Sequence, residues 1–584
     1  MAASFILVSV VLAASTAPVP PAADVARRLD AIIAAGWRSR GIEPSPPASD
    51  AGFFRRLSLG LRGAIPTAEE ARGFLADADP AKRARAIDAM LASPERARYF
   101  SRLFLETLLG TGRLDSYLHP EVLREWLEKA FLENRPWNDV VAALLTDSGL
   151  LADSGPANFL YRWGTTPEEL AGAASRLFLG VQIQCAQCHD HPTAKWTRAD
   201  FYGMAAFFGR TKRTPVRGHL EEGLDYRIVD RPFGEVSIDE PDRAGPPVPP
   251  RFLGGEPLQK GRRGSSRRVR FADTACSPSN PYFAPAAVNR LTAILFGRGF
   301  VDPVDDFSPS NPPSHPEALL LLADDFRASG FDVRRTLRIL AGTEAYALSS
   351  IVTEKNDLDR AGDGFSHALL RPLNRNQLFD STLVATGASR ALERRAEEAE
   401  RESLRDAAAA ARRPSGGKRR TARLAAHEAG GDAMESAVPS SGEAESERAA
   451  MRRLSRDPLA AIRSDFFAQL SPGQAAEEPD ENACEESIQK LLALLNNAVL
   501  SEGTRSRGVA GAGLDLTIDR VARESESPAD RVEELYFAAL SRPPKPDEAA
   551  RAAKALAAAG GAGAAALEDL LWALLNSAEF ALDH

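Results

Sequence analysis

Between Phe53 and about Gly209 apolar residues return at three- and four-residue intervals, the period of helices that bury one face. The stretches Ile87–Leu91, Phe100–Leu109 and Trp126–Leu132 follow that period. Asn134–Trp137 interrupts it with a proline, and Val140–Leu145 resumes it. Thr166, Pro167 and Glu169 fit the N-cap, N1 and N3 positions of a capping box. Leu170, Ala174, Leu177 and Val181 then mark one face of a helix whose end Gly180 loosens. Upstream, Ala26–Ala35 reads as a short helix followed by a Pro-rich linker.

The pattern changes over residues 211–275. Tyr226–Val229 and Gly234–Ile238 alternate like short strands, Gly245–Pro250 is a loop, and Lys260–Arg270 is basic and rich in Gly and Ser. Helical spacing returns at Asn280 and runs to about Gly387. Within it, Pro316 opens a helix ending near Gly330, Asp332 caps the next, and Arg375–Thr386 forms another closed by Gly387. Residues 391–480 are mostly Ala, Glu, Arg, Ser and Gly. That composition buries too little apolar surface to offset ordering entropy, so this is read as a disordered or single-helix insertion. Packing resumes at Ile488–Leu500. A faint repeat links Pro66–Ala71 and Leu91–Glu95 with Pro544–Ala549 and Leu575–Glu579, and Leu340–Glu344 echoes its second half. Recurrent capping chemistry explains it.

The expected fold class is mainly α, a multi-domain helical protein with a small β-containing insertion and a disordered charged insertion. The expected parts are a signal peptide at 1–23, a helical domain at 51–210, a β/loop segment at 211–275, a second helical domain at 276–390 plus 481–584, and the insertion at 391–480. At 584 residues the chain exceeds what one hydrophobic core serves.

Composition adds limits. With 44% hydrophobic and 26% charged residues there is material for cores, and a net charge of −8 argues against a nucleic-acid partner. The basic run Lys418–Arg420 sits in a mixed-charge tract and reads as solvated. The apolar run Phe5–Leu12, followed by small residues and then Pro18–Pro21, fits a secretory signal cut near Ala14–Ala17. It lacks a basic residue ahead of the run, so a buried strand is the rival reading. No other stretch suits a membrane span, so the mature chain is expected to have no transmembrane segment and to be exported, periplasmic or at the cell surface.

Four cysteines do not make a disulfide framework. Two of them, however, stand in Cys185-Ala186-Gln187-Cys188-His189. Shuffling this composition yields C-x-x-C-H in roughly 3 of 10,000 chains. The two thiols are spaced to bond the two vinyl groups of one haem, with His189 placed as axial iron ligand. Three rivals stay open: a dithiol redox pair, a metal site using Cys185, Cys188, His189 and His191, and a structural disulfide. A redox dithiol prefers a helix N-terminus, whereas these cysteines follow a helix. Four metal ligands within seven residues leave a tetrahedron little room. Candidates for the sixth iron position are Met204, His219 and His119; a methionine in the apolar stretch Phe201–Phe208 is more often core. Lys195 and Trp196 flank the site.

The run from Phe178 to Pro192 with Lys195, Trp196 and Asp200–Gly203 resembles the planctomycete cytochrome C-like domain family, domain of unknown function fifteen-forty-nine. Phe53–Leu59 with Ile65–Thr67 is similar to its N-terminal signature. Asn280–Ala284, Val288–Arg290, Phe296–Gly299, Asp302–Phe307, Ser310–Glu317 and Asn576–Phe580 resemble domain of unknown function fifteen-fifty-three. The resemblance covers nearly the whole chain outside the insertion. It implies one haem c and carries no established activity. Relatives are associated with sulfatase-like partners and polysaccharide breakdown. Met204 departs from the family pattern, which has Leu there.

Two functions of different classes follow. One is an exported c-type haem protein in electron transfer or redox chemistry, with an unknown redox partner or secreted enzyme as its counterpart. The other is a non-catalytic interaction or scaffold protein in which Cys185 and Cys188 are structural. A weaker third reading, a metal-dependent hydrolase, rests on Asp302, Asp305 and Asp306 near His315.

Overall fold

The helix Asp50–Arg62 carries apolar residues on two sides and is buried without a break from Phe53 to Leu61. Ser49 caps its start by accepting from the Gly52 amide, and Gly63 ends it in the left-handed conformation. One side joins a large apolar cluster that runs from Val25 to Phe365, adds Phe537 and Ala538, and takes in residues of both expected helical segments. The other side, through Leu59, joins a second cluster built from Leu373–Ala385 and the C-terminal helices between Thr517 and Leu575. The two cores share this helix and the helix Pro528–Leu540, which gives Phe537 and Ala538 to the first and Val532, Leu535 and Ala539 to the second, so chain order does not partition them.

The computed structural model describes residues 19–388 and 516–583, apart from 111, 113, 192–193, 221–222, 239–244, 259–265, 360–361, 526 and 559–563. The expected insertion at 391–480, the packing expected at 488–500, Cys484 and most of the expected signal peptide lie outside the described residues. The architecture is mainly helical with small two-stranded sheets. Strands β1 (Thr211–Leu220) and β2 (Gly223–Asp230) form an antiparallel ribbon. The strand expected at Gly234–Ile238 shrinks to Val236–Ser237, paired with Pro247–Val248. No described helix is long and apolar enough to cross a membrane.

The helix expected at Ala26–Ala35 extends to Ala22–Arg40. Its buried Val25, Leu29 and Ile33 face the large core. Its Asp30 accepts from the Glu344 and Ala345 amides at 2.9 and 3.3 Å. Burial outweighs those bonds and raises the Asp30 carboxyl from 3.8 to about 6. The folded value lies above the unfolded one, so the stability contribution is complete below pH about 3.8 and is lost as pH rises through about 6. Urea midpoints should therefore fall between those two pH values, and the Asp30→Asn variant should flatten that part of the fall. Equal slopes for parent and variant would exclude Asp30 as the source.

Candidate functional site

The segment that carries the cysteines begins at the helix Pro167–Ala174. Thr166 starts it by accepting from the Glu169 amide at 3.2 Å, with Pro167 at the first position. This is the Thr166 half of the expected capping box. Leu170, Ala174, Leu177 and Val181 are all buried, as their spacing predicts. Past Ala174 the helix widens into a π-type turn, Ser175–Leu179. Ser175 closes that turn twice: its hydroxyl donates to the Val181 carbonyl at 2.8 Å, and its carbonyl accepts from the Val181 amide at 3.2 Å. Single π-turns of this kind recur at functional sites.

The chain then reverses at Gly180, which holds φ 68°. A Cβ there would lie 2.5 Å from the Phe307 ring, so both the left-handed backbone and the close approach require glycine. The Phe307 amide donates to the Gly180 carbonyl at 2.8 Å. In the same loop Asp305 pairs with Arg176 at 3.1 Å and accepts from Gln182 at 3.3 Å. Arg290 adds a bond to the Leu177 carbonyl at 3.3 Å. A brace from residues 290–307 thus holds the segment just before the cysteines.

Gln184–Gln187 follows as a 3-10 turn. Its Gln184 side chain lies so close to Gly172 that a Cβ there would meet it at 2.6 Å. Ala186 is fully buried and seats the turn, while Cys185 and Cys188 are exposed free thiols. In a 3-10 turn side chains three apart eclipse, which puts both thiols on one outer side. His189 is exposed too; its Nδ1 lies 2.8 Å from the Asp190 carbonyl oxygen, and Nε2 has no bond among the described residues.

The neighbouring residues build the turn. Asp190 accepts from the Arg198 amide at 3.0 Å. His191 donates its amide to the Trp196 carbonyl at 2.8 Å, and its Nδ1 accepts from the Ala194 amide at 3.0 Å. Trp196 is buried edge-on to Tyr282, with Lys195 Nζ 5.0 Å from its ring. Thr197 and Asp200 form a full capping box for the helix Arg198–Ala205.

The three sixth-ligand candidates fall in different places. Met204 is fully buried in the helix Arg198–Ala205, and its sulfur accepts from the Leu253 amide at 3.4 Å. His119 is the N-cap of the helix Pro120–Leu132; its amide donates to Asn158 and its ring faces Glu121 at 3.4 Å. His219 lies in β1, and its side chain is outside the described residues. Cys276 is buried, which pushes its thiol up to about 12 and keeps it neutral.

Among the described residues no group of three or more His, Cys, Asp or Glu is placed to hold a metal ion. Asp302 pairs with Arg298, Asp305 with Arg176, and His315 is buried against Phe300 and Phe365. Of these acidic residues Asp305 belongs to the brace, through Arg176 and Gln182. Sequence patterning missed the brace because residues 176 and 305 are 129 positions apart.

A haem c requires two accessible thiols on one side and an imidazole with a free nitrogen. Cys185, Cys188 and His189 meet that requirement. The bond from Nδ1 to a backbone carbonyl is the second-shell contact that fixes the tautomer of ligating histidines.

Residues 28–213 match the family model PSCyt2, a protein of unknown function (DUF1549), and residues 267–556 match PSD1, a protein of unknown function (DUF1553). No curated protein and no solved structure matches the chain.

Proposed function

The chain belongs to the proteins that join a DUF1549 (PSCyt2) domain to a DUF1553 (PSD1) domain, and from that premise we propose an exported c-type haem protein with an electron-transfer or redox role. The observation that carries this reading is the exposed 3-10 turn with two free thiols on one side and His189 next in the chain. Cys185 and Cys188 would hold the haem as thioethers, each thiol adding across one vinyl group, sulfur to one carbon and hydrogen to the other, with no net oxidation. His189 would offer Nε2 to the iron while its Nδ1 stays bonded to the Asp190 backbone carbonyl. Bound there, the haem supplies a one-electron couple. Ala186 and Gln184 anchor the turn, and the 290–307 brace keeps its approach rigid. The name PSCyt2 of the first family model agrees with this reading.

The test is the intact mass and visible spectrum of the chain made in cells competent for haem attachment. The expected mature chain lacks its first residues, carries the added mass of one haem, and keeps its Soret band after acid-acetone extraction. Cys185→Ala with Cys188→Ala should abolish the covalent mass; His189→Ala should keep the mass and shift the band. A colourless mature chain without added mass removes the haem reading and leaves the secreted scaffold.

A further inference from the structure

A second region, away from the cysteine turn, bears a different chemistry. Two adjoining cavities of about 200 and 480 Å³ open between the helix Gly155–Trp163, the start of the helix Pro167–Ala174 and strand β1. They share Thr165 and Arg213. Lys212 lines the smaller one, and Arg162 and Ser116 line the larger.

The two arginines are fixed without carboxylates. Arg213 donates to the Tyr161 carbonyl and, at 2.7 Å, to the Thr165 hydroxyl; its guanidinium lies 4.2 Å from the Tyr161 ring. Its Nε is buried with no acceptor. Arg162 donates its Nε to the Leu109 carbonyl at 2.8 Å and lies 4.7 Å from the Trp163 ring. Among the described residues no carboxylate pairs with Arg162, Lys212 or Arg213. Nearby arginines behave otherwise: Arg210, Arg251, Arg267 and Arg268 each meet a carboxylate at 2.8 Å or closer. Asp115, the carboxylate in the larger cavity, accepts from the Tyr161 hydroxyl at 3.2 Å and the Tyr117 amide at 2.9 Å.

We propose that this groove binds a small oxyanion, phosphate or sulfate, free or as a monoester, held by Arg162, Lys212, Arg213 and the Thr165 hydroxyl. Guanidiniums oriented by neutral carbonyls and rings keep N–H donors for a tetrahedral anion, and ordering them beforehand lowers the cost of binding. The adjacent helix N-terminus adds little, because Glu168 and Glu169 occupy its first turn. Three cations in a chain of net charge −8 suit a small ligand and fall short of a polyanion track. This inference is independent of the haem reading.

The test is calorimetric titration of the full chain with sodium sulfate, sodium phosphate and phenyl phosphate, against sodium chloride of matched ionic strength. At least one oxyanion should bind saturably. Lys212→Glu, at an exposed side chain, should weaken it by about tenfold or more, since a charge-assisted contact is lost and a repulsion added. Arg28→Glu makes the same charge change on the exposed side of the N-terminal helix and should leave binding unaltered. Tighter binding of phenyl phosphate than of phosphate identifies a monoester; equal binding identifies the free ion. Absence of saturable heat for all three oxyanions overturns the proposal, as does equal weakening by Arg28→Glu. Circular dichroism of both variants separates lost binding from lost fold.

Discussion

Replacing Arg55 by leucine is expected to destabilise the protein by about 2–6 kcal/mol, because two buried carbonyls lose their donor at about 1–3 kcal/mol each. Arg55 sits on the central helix Asp50–Arg62 and is almost fully buried. One guanidinium nitrogen donates to the Ala539 carbonyl at 3.1 Å, with the Ser541 hydroxyl at 3.5 Å. The other donates to the Phe580 and Glu579 carbonyls at 2.9 and 3.3 Å. Burial draws its pKa down to about 10, so it stays charged at neutral pH, with Asp583 and Glu579 opposing that shift. Leucine fills part of the volume and leaves those carbonyls without a donor. Arg55→Lys should recover only part of the loss, because one ammonium cannot span the helix end near Ala539 and the turn at Phe580 together. Urea unfolding at pH 7 measures both variants. A loss below about 1 kcal/mol for Arg55→Leu would show that the clasp between this helix and the C-terminal turn is not energetically needed.

That clasp also marks where sequence patterning stops. Helix ends are written locally and were legible: Arg375–Thr386 ends at Gly387 in the left-handed conformation, Asp332 accepts from the Arg335 amide, and Pro316 opens its helix. The repeated corners likewise resolve into caps, with Thr67, Ser93 and Ser577 each accepting an amide of the following turn. Strand β1 was not legible. Its sequence, Thr211–Leu220, mixes three basic residues with Pro215 and lies in a two-stranded ribbon, so no alternating buried face records it. The assignment of core residues was also out of reach. Leu59 and Ile65 pack with helices more than 300 positions later, a pairing that periodicity does not encode.

The candidate site divides the same way. Cys185, Cys188 and His189 are contiguous, so their chemistry reads directly from the chain. The roles of Asp190, His191 and Trp196 depend on the fold, which makes them parts of the turn. The acidic run at Asp302–Asp306 suggested a cation, yet Asp305 finds Arg176 instead. Charge type alone does not distinguish a ligand from an ion-pair partner.

The brace behind the cysteines makes the second large prediction. Gly180→Ala should cost about 2–5 kcal/mol, from about 1–2 for a Cβ in the left-handed region and about 1–3 for overpacking. The first contribution comes from φ 68°, the second from the Phe307 ring 2.5 Å from the added atom. The two are separable by a double-mutant cycle. Phe307→Ala opens space for the new methyl, so Gly180→Ala should cost less in that background, leaving mainly the backbone part. Because the Phe307 amide bonds the Gly180 carbonyl and Asp305 holds Arg176, displacement of this loop should also loosen the approach to the cysteines. Amide exchange at residues 182–188 should then rise in Gly180→Ala more than at the remote helix Pro316–Ala328. If Gly180→Ala costs the same with Phe307 present or truncated, the close approach carries no energy. If exchange rises equally in both regions, the brace does not hold the cysteine turn in particular.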